Sequence, residues 1–209
     1  MSKLEELIHK HCPEGVEYKP LGELMTISRG ASPRPIQNYL TTDKDGIPWI
    51  KIGDASPESK YISSTNERIT KSGAAKSRYL KKGSFILSNS MSFGRPYILK
   101  IDGCIHDGWI SMCDFEKSFN PDFLYYLLRS DAVQSFWVSK ANSGGAIANL
   151  NSDIVRSTPV PIPPFPVQEE AVRILDVFTE LQAELQAELQ KRQQQYSYFR
   201  EKVLSFKKK

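Results

Sequence analysis

The sequence of 209 residues contains no apolar run of transmembrane length and no signal peptide. Those two absences predict a cytoplasmic protein with no membrane partner. Cysteine is scarce: Cys12, Cys104 and Cys113 are odd in number and share no metal-ligand spacing, so they read as reduced thiols. His9, His11 and Cys12 cluster, yet their spacing fits no standard zinc site. Nucleotide-binding signatures are missing as well. There is no G-x-x-x-x-G-K-S/T phosphate loop and no glycine-rich turn suited to a nucleotide cofactor. Ile162-Pro163-Pro164-Phe165 has the outline of the Asn/Asp-Pro-Pro-Tyr/Phe motif of DNA amino-methyltransferases. The first residue of that motif accepts hydrogen bonds from the target amino group, and Ile162 has no acceptor. His106 and Asp107 do not nominate a nucleophile by spacing, and His106 reads as a loop or strand-end residue. These absences predict a chain that is not an enzyme and holds no cofactor or metal of its own.

Glycine and proline are absent after Pro166, and Ala, Leu, Glu, Gln, Lys and Arg dominate there. Those are strong helix formers, and proline is tolerated in a first helical turn. A helix over 166–206 would reach roughly 60 Å, too long for a core element of a small domain. It carries an apolar seam. Ala171, Ile174, Phe178, Leu181 and Leu185 step by three and four; Leu189, Tyr196, Phe199, Val203 and Phe206 continue after a four-residue displacement. This is a coiled-coil pattern with a stutter near Leu185–Leu189. Ile174, Phe178, Leu181, Leu185, Leu189, Tyr196, Phe199 and Val203 are therefore expected to pack on a partner helix, in an antiparallel homodimer.

Ahead of this rod the chain changes character. Hydrophobic residues make up 40% of the sequence, enough for a core before the rod, and the formal net charge is +4. Mild basicity suits a nucleic-acid partner without proving one. Ser2 and Glu5 form a capping box for a helix over 2–11. Short apolar runs at 16–18, 24–28, 48–52, 85–88, 97–101, 109–115 and 155–162 predict strands, and 70–79 predicts a short helix. Asn120 and Pro121 should start a helix through Arg129, with a second at 132–140 capped by Ser130 or Asp131. Five prolines between Pro159 and Pro166 predict a stiff, extended hinge. The expected architecture is mixed α/β: a globular unit over 1–158, a hinge over 159–166 and a long helix over 167–206. Polar and basic loop residues suit contacts to bases and phosphates, with Arg34, Lys51, Lys76, Arg78, Asn89, Ser90, Arg95 and Lys140 as candidates.

Several segments carry a resemblance. They are Leu21-Gly22-Glu23-Leu24, Ile47-Pro48-Trp49-Ile50-Lys51, Lys82 to Ser88, and Asn149-Leu150 followed by Asp153-Ile154. Most specific is the run from Pro159 to Gln168 leading into Ile174-Leu175-Asp176. Together they resemble the DNA-specificity subunit of type I restriction–modification systems. The resemblance implies target-recognition domains of mixed α/β structure, each reading half of a bipartite site in double-stranded DNA, joined by long spacer helices. It implies a non-catalytic chain. S-adenosylmethionine, ATP and magnesium would sit on modification and restriction subunits, which methylate adenine, translocate and cleave. Usual members carry two recognition domains and two spacer helices, whereas this sequence has one of each and resembles a half-subunit. A standalone methyltransferase or nuclease, or an adaptor that binds only proteins, are the competing readings.

Overall fold

Four strands rich in apolar residues organise the molecule, which a computed structural model describes over residues 2–89, 92–142 and 149–206. In chain order the helix α1 (Lys3–His11) is followed by β1 (Tyr18–Pro20), α2 (Leu21–Leu24) and β2 (Thr26–Arg29). Next come β3 (Leu40–Thr41), β4 (Ile47–Ile50), β5 (Tyr61–Ile62), β6 (Glu67–Ile69), α3 (Lys71–Ala74) and β7 (Arg78–Leu80). The third group is β8 (Phe85–Ser88), β9 (Pro96–Leu99), β10 (Gly103–Ile105) and β11 (Trp109–Cys113). The chain closes with α4 (Pro121–Leu128), α5 (Asp131–Asn142), α6 (Ser152–Arg156), β12 (Pro159–Pro161) and α7 (Phe165–Leu204). The result is mixed α/β with a long C-terminal helix, the class the sequence predicts.

The strands form two five-stranded sheets, ordered β2-β11-β8-β9-β5 and β3-β6-β4-β10-β7, and a small pair of β1 with β12. The first sheet is buried on both faces. Its alternate residues Phe85, Leu87, Ile98, Ile110 and Met112 pack with Leu124, Leu128, Val133 and Trp137 of the helices. The intervening Ile86, Tyr97, Leu99 and Trp109 pack with Ile50, Leu80 and Ile105 of the second sheet. A strand covered on both faces reads as an unbroken apolar run rather than an alternation. That explains why Phe85–Ser88 is buried throughout. Trp109 Nε1 also donates to the Ile50 carbonyl across the sheets (3.2 Å).

The outer sheet is finished by Trp49, Ile69 and Cys104, under Ile36 and Ala74. Its strands are short, and most escape a sequence-pattern reading. The 155–162 segment differs from the expected strand: its first residues complete α6, capped by Asn151, and only Pro159–Pro161 extend. Likewise 70–79 divides into α3 and the start of β7. Within the expected hinge, Pro159–Pro161 pairs antiparallel with Tyr18–Pro20, and α7 already begins at Phe165.

The base of α7 is built into this framework. Gln168 is fully buried, and its side chain makes three hydrogen bonds. Nε2 donates to the carbonyls of Ser118 and Pro163 (both 2.8 Å), and Oε1 accepts from Asn120 N–H (2.8 Å). Thus one amide links the long helix, the segment before it and the cap of α4. Asn120 itself caps α4 by accepting from the Asp122 and Phe123 amides, as expected. Tyr126 of α4 donates to Asp176 Oδ1 (2.6 Å), one helical turn pair further along α7. Glu170, its side chain 3% exposed, pairs with Arg173 and with Lys3 of α1. Arg173 and Lys3 hold its carboxyl down to about 2.

Candidate nucleic-acid interface

At one end of the two sheets, the turn between β10 and β11 presents His106, Asp107 and Gly108. The loop that follows β2 lies against it. Gly30 permits the close approach: a Cβ there would stand 2.1 Å from the His106 carbonyl oxygen. Gly30 N–H donates to the Trp109 carbonyl (2.8 Å), and Ala31 N–H to the Ile105 carbonyl (3.3 Å). On the other side Asn89 N–H donates to the Gly108 carbonyl (3.0 Å), and Leu150 N–H to the Asn89 carbonyl (2.9 Å). Three chain segments therefore meet over the turn.

Their side chains converge on Asp107. Ser32 Oγ donates to Asp107 Oδ1 (2.8 Å) and Arg34 Nη2 to Oδ2 (3.3 Å). Arg29 Nε (3.0 Å) and Asn89 Nδ2 (3.3 Å) donate to the Asp107 carbonyl. His106 Nε2 lies 3.0 Å from Asp107 Oδ1. Burial pushes the Asp107 carboxyl up, but the Ser32 hydroxyl, His106 and Arg34 outweigh it and hold the carboxyl below its ordinary range.

Two cavities open on either side of this ridge. One, of about 330 Å³, is lined by Arg29, Asn89, His106, Asn149 and Asn151 among others. The second, of about 530 Å³, is lined by Arg34, Gln37, Trp49, Lys51 and Glu67. Both cavities are lined by His106 and Asp107, and together they form one cleft with hydrogen-bond donors suited to base acceptors and phosphate oxygens.

Of the residues nominated from sequence, Arg34, Lys51 and Asn89 line this cleft. Lys51 arrives already paired, its Nζ 2.5 Å from Glu67 Oε1. Arg78 stands behind, Nε donating to the Arg29 carbonyl (3.3 Å). Lys76 is alongside, donating to the Tyr39 hydroxyl (2.5 Å). Arg95 is not part of the group. Its guanidinium donates to the Pro57 carbonyl, and it lines a different cavity with Arg129 and Gln134. Lys140 is on α5, with its ammonium 5.7 Å from the Phe136 ring centre. Ser90 lies outside the described residues. Sequence reasoning missed Arg29, Gln37, Asp107, Asn149 and Asn151, and took His106 for an ordinary loop residue. Of these, Asp107 is weighed in the sequence only beside His106, and Asn149 only as part of the resemblance. Among the described residues, no group of three or more His, Cys, Asp or Glu side chains is placed to hold a metal ion. Nor is any described helix long and apolar enough to cross a membrane.

The class the fold and site define is a mixed α/β unit of two packed sheets with an open polar cleft and a long projecting helix. The comparisons give that class its family. Residues 13–192 match the type I restriction modification DNA specificity domain, and the chain belongs to that family. It is 27% identical over 206 residues to the type I restriction enzyme EcoprrI specificity subunit of Escherichia coli, covering 92% of this chain and 50% of that one. Another Escherichia coli type I restriction enzyme specificity subunit is 36% identical over 205 residues, covering 92% and 49%. The HsdS subunit from Thermoanaerobacter tengcongensis shares the fold with a TM-score of 0.66 and 18% identity, over 88% of this chain and 44% of that one. A chain from a type I R-M system, solved in work on its complex assembly, superposes with a TM-score of 0.72 at 19% identity, over 92% and 45%. The chain thus spans about half the length of the curated relatives it matches.

Proposed function

We propose that this chain reads one half of a bipartite site in double-stranded DNA. In this reading it directs adenine methylation and restriction by partner modification and restriction subunits. The chain itself performs no chemistry, and S-adenosylmethionine, ATP and magnesium belong to the partners. The observation that carries the reading is the convergence of Arg29, Arg34, Asn89, Asn149 and Asn151 on one cleft. Arginine and asparagine are the side chains best matched to guanine and adenine edges. Methylome sequencing of the host with and without this gene tests it: loss of one methylated motif is expected, and an unchanged methylome would refute it.

Two copies pair through α7 in antiparallel fashion. From Leu175 to Phe206 every residue of the helix region is exposed, including Phe178, Leu181, Leu185, Leu189, Tyr196, Phe199 and Val203. Leu185 is 69% exposed and Tyr196 also 69%. Burying such side chains contributes about 25 cal/mol per Å². Charge segregation favours the antiparallel arrangement. The first part of α7 carries Glu169, Glu170, Asp176, Glu180, Glu184 and Glu188 against Arg173. The last part carries Lys191, Arg192, Arg200 and Lys202 against Glu201. Helix-dipole compensation accounts for charges only in the terminal turns, and Glu180 to Arg192 lie well inside. Antiparallel partners set acid against base, whereas parallel partners would set like against like. Two readers related by a two-fold axis would meet inverted copies of one half-site.

A further inference from the structure

Where the cleft's basic residues converge, the chain has placed an acid. DNA is a polyanion, and a fixed carboxylate on its docking face opposes phosphates. The Asp107 side chain is only 25% exposed, and it is gripped by Ser32 from behind while its own N–H donates back to Ser32 Oγ (3.2 Å). The carboxylate cannot turn away without breaking the bond from Ser32, which the backbone N–H holds in place. Arg34, by contrast, is 82% exposed and meets Asp107 through one 3.3 Å contact. A guanidinium has five donors in a rigid fork. A contact on one nitrogen aims the remainder in a set direction.

Resting on the reading of this cleft as the DNA-facing site, we propose that Asp107 is a positioning residue that determines specificity through Arg34. It aims the Arg34 fork at one register of the duplex. It also repels phosphates that a duplex docked in another register would bring to the same place. Repulsion of wrong partners is as effective for discrimination as attraction of the right one. Without the carboxylate, Arg34 reaches phosphates in many registers, and affinity for every sequence rises while selectivity falls.

The test uses the assembled modification complex containing this chain. Asp107→Asn keeps the shape and removes the charge. Affinity for a random-sequence duplex should rise about two- to fivefold, the range set by release of one exposed ion pair. The methylated motif, read by single-molecule sequencing in cells, should broaden at one or more positions. In an Arg34→Ala background, Asp107→Asn should leave the motif unchanged, because the aiming acts through Arg34, and should raise random-duplex affinity by less than in the parent, since only the direct repulsion of phosphates is then removed. Ser32→Ala loosens the carboxylate without changing charge; it should broaden the motif and leave random-duplex affinity unchanged. The proposal is overturned if Arg34→Ala weakens binding but Asp107→Asn alters neither random-duplex affinity nor the motif. It is equally overturned if Asp107→Asn lowers random-duplex affinity and abolishes methylation, which would make Asp107 a direct contact or a structural prop. If Arg29→Ala, Arg34→Ala and Asp107→Asn all leave DNA binding untouched, the cleft is not the DNA-facing site, and the underlying reading fails instead.

Discussion

Between Val167 and Thr179 the long helix shares its residues with the globular unit, through Gln168, Glu170, Val172 and the Tyr126 bonds to Asp176 and Thr179. Beyond Leu181 the same helix is exposed at every position, although Leu185, Leu189, Tyr196, Phe199 and Val203 carry an apolar seam along it. Both stretches are helical for the same local reasons. They differ in what covers them. The base is fixed by buried hydrogen bonds whose partners sit in α4 and the preceding proline segment. The remainder has an apolar seam that nothing among the described residues covers. A helix locked at its root transmits the orientation of the unit to whatever packs on its far end. In the proposed dimer, that division lets the helix set the distance between two readers.

Substitutions should separate the two stretches. The largest effect is expected from Leu181→Asp, which would place an unpaired charge in the seam of each paired chain. A buried charge without a partner costs about 3–5 kcal/mol. Light scattering at tens of micromolar should then show a monomer, with the unfolding of the globular unit unchanged. Gln168→Leu acts on the other stretch. It leaves the Asn120 N–H and the Ser118 and Pro163 carbonyls without their partner, at about 1–3 kcal/mol for each group that water cannot reach. Urea unfolding should show a loss of about 3 kcal/mol, while Leu185→Gln in the monomer should stay within about 0.5 kcal/mol.

Acid sharpens the same contrast. Glu170 has its pKa depressed to about 2 from 4.5 by Arg173 and Lys3. A depressed carboxyl contributes stability that is fully present above its unfolded value of about 4.5 and is lost as pH falls toward 2. Urea titrations across that window should therefore fall more steeply for the parent chain than for Glu170→Gln. At the base of the helix a smaller effect than that of Gln168→Leu is expected from Tyr126→Phe, which removes the hydroxyl bonds to Asp176 and Thr179. Net hydrogen bonds of this kind contribute about 1 kcal/mol, and thermal unfolding would register it.

The legible parts of this molecule are those where one local signal suffices. Phe85–Ser88 and Trp109–Cys113 announce themselves because burial on both faces leaves little polar patterning. The capping box at Ser2, the Asn120-Pro121 helix start and the proline-free C-terminal run are equally local. Strands of two or three residues, such as Leu40–Thr41 and Tyr61–Ile62, are fixed by their neighbours in the sheet and carry no pattern of their own. The cleft was harder still. Arg29 and Asp107 are 78 positions apart, and only the antiparallel pairing of β2 with β11 brings them together. Asn89 and Arg95 are nominated from one polar loop and Arg34 from a proline-flanked one; Asn89 and Arg34 line the cleft, and Arg95 lies elsewhere. Loop polarity alone does not distinguish the two places.

The pairing of the rods can be measured directly. A spin label on Ser205→Cys, in a Cys113→Ser background, reports the distance between the far ends of two helices in one dimer. Cys12 and Cys104 are buried and should not take the label. Antiparallel overlap of acidic with basic stretches predicts a separation of roughly 50–60 Å, from 1.5 Å per residue along both rods. A separation under about 20 Å, the spacing of labels side by side on neighbouring helices whose axes are about 10 Å apart, would mean parallel pairing. That result, or the absence of any dipolar coupling, would contradict the account.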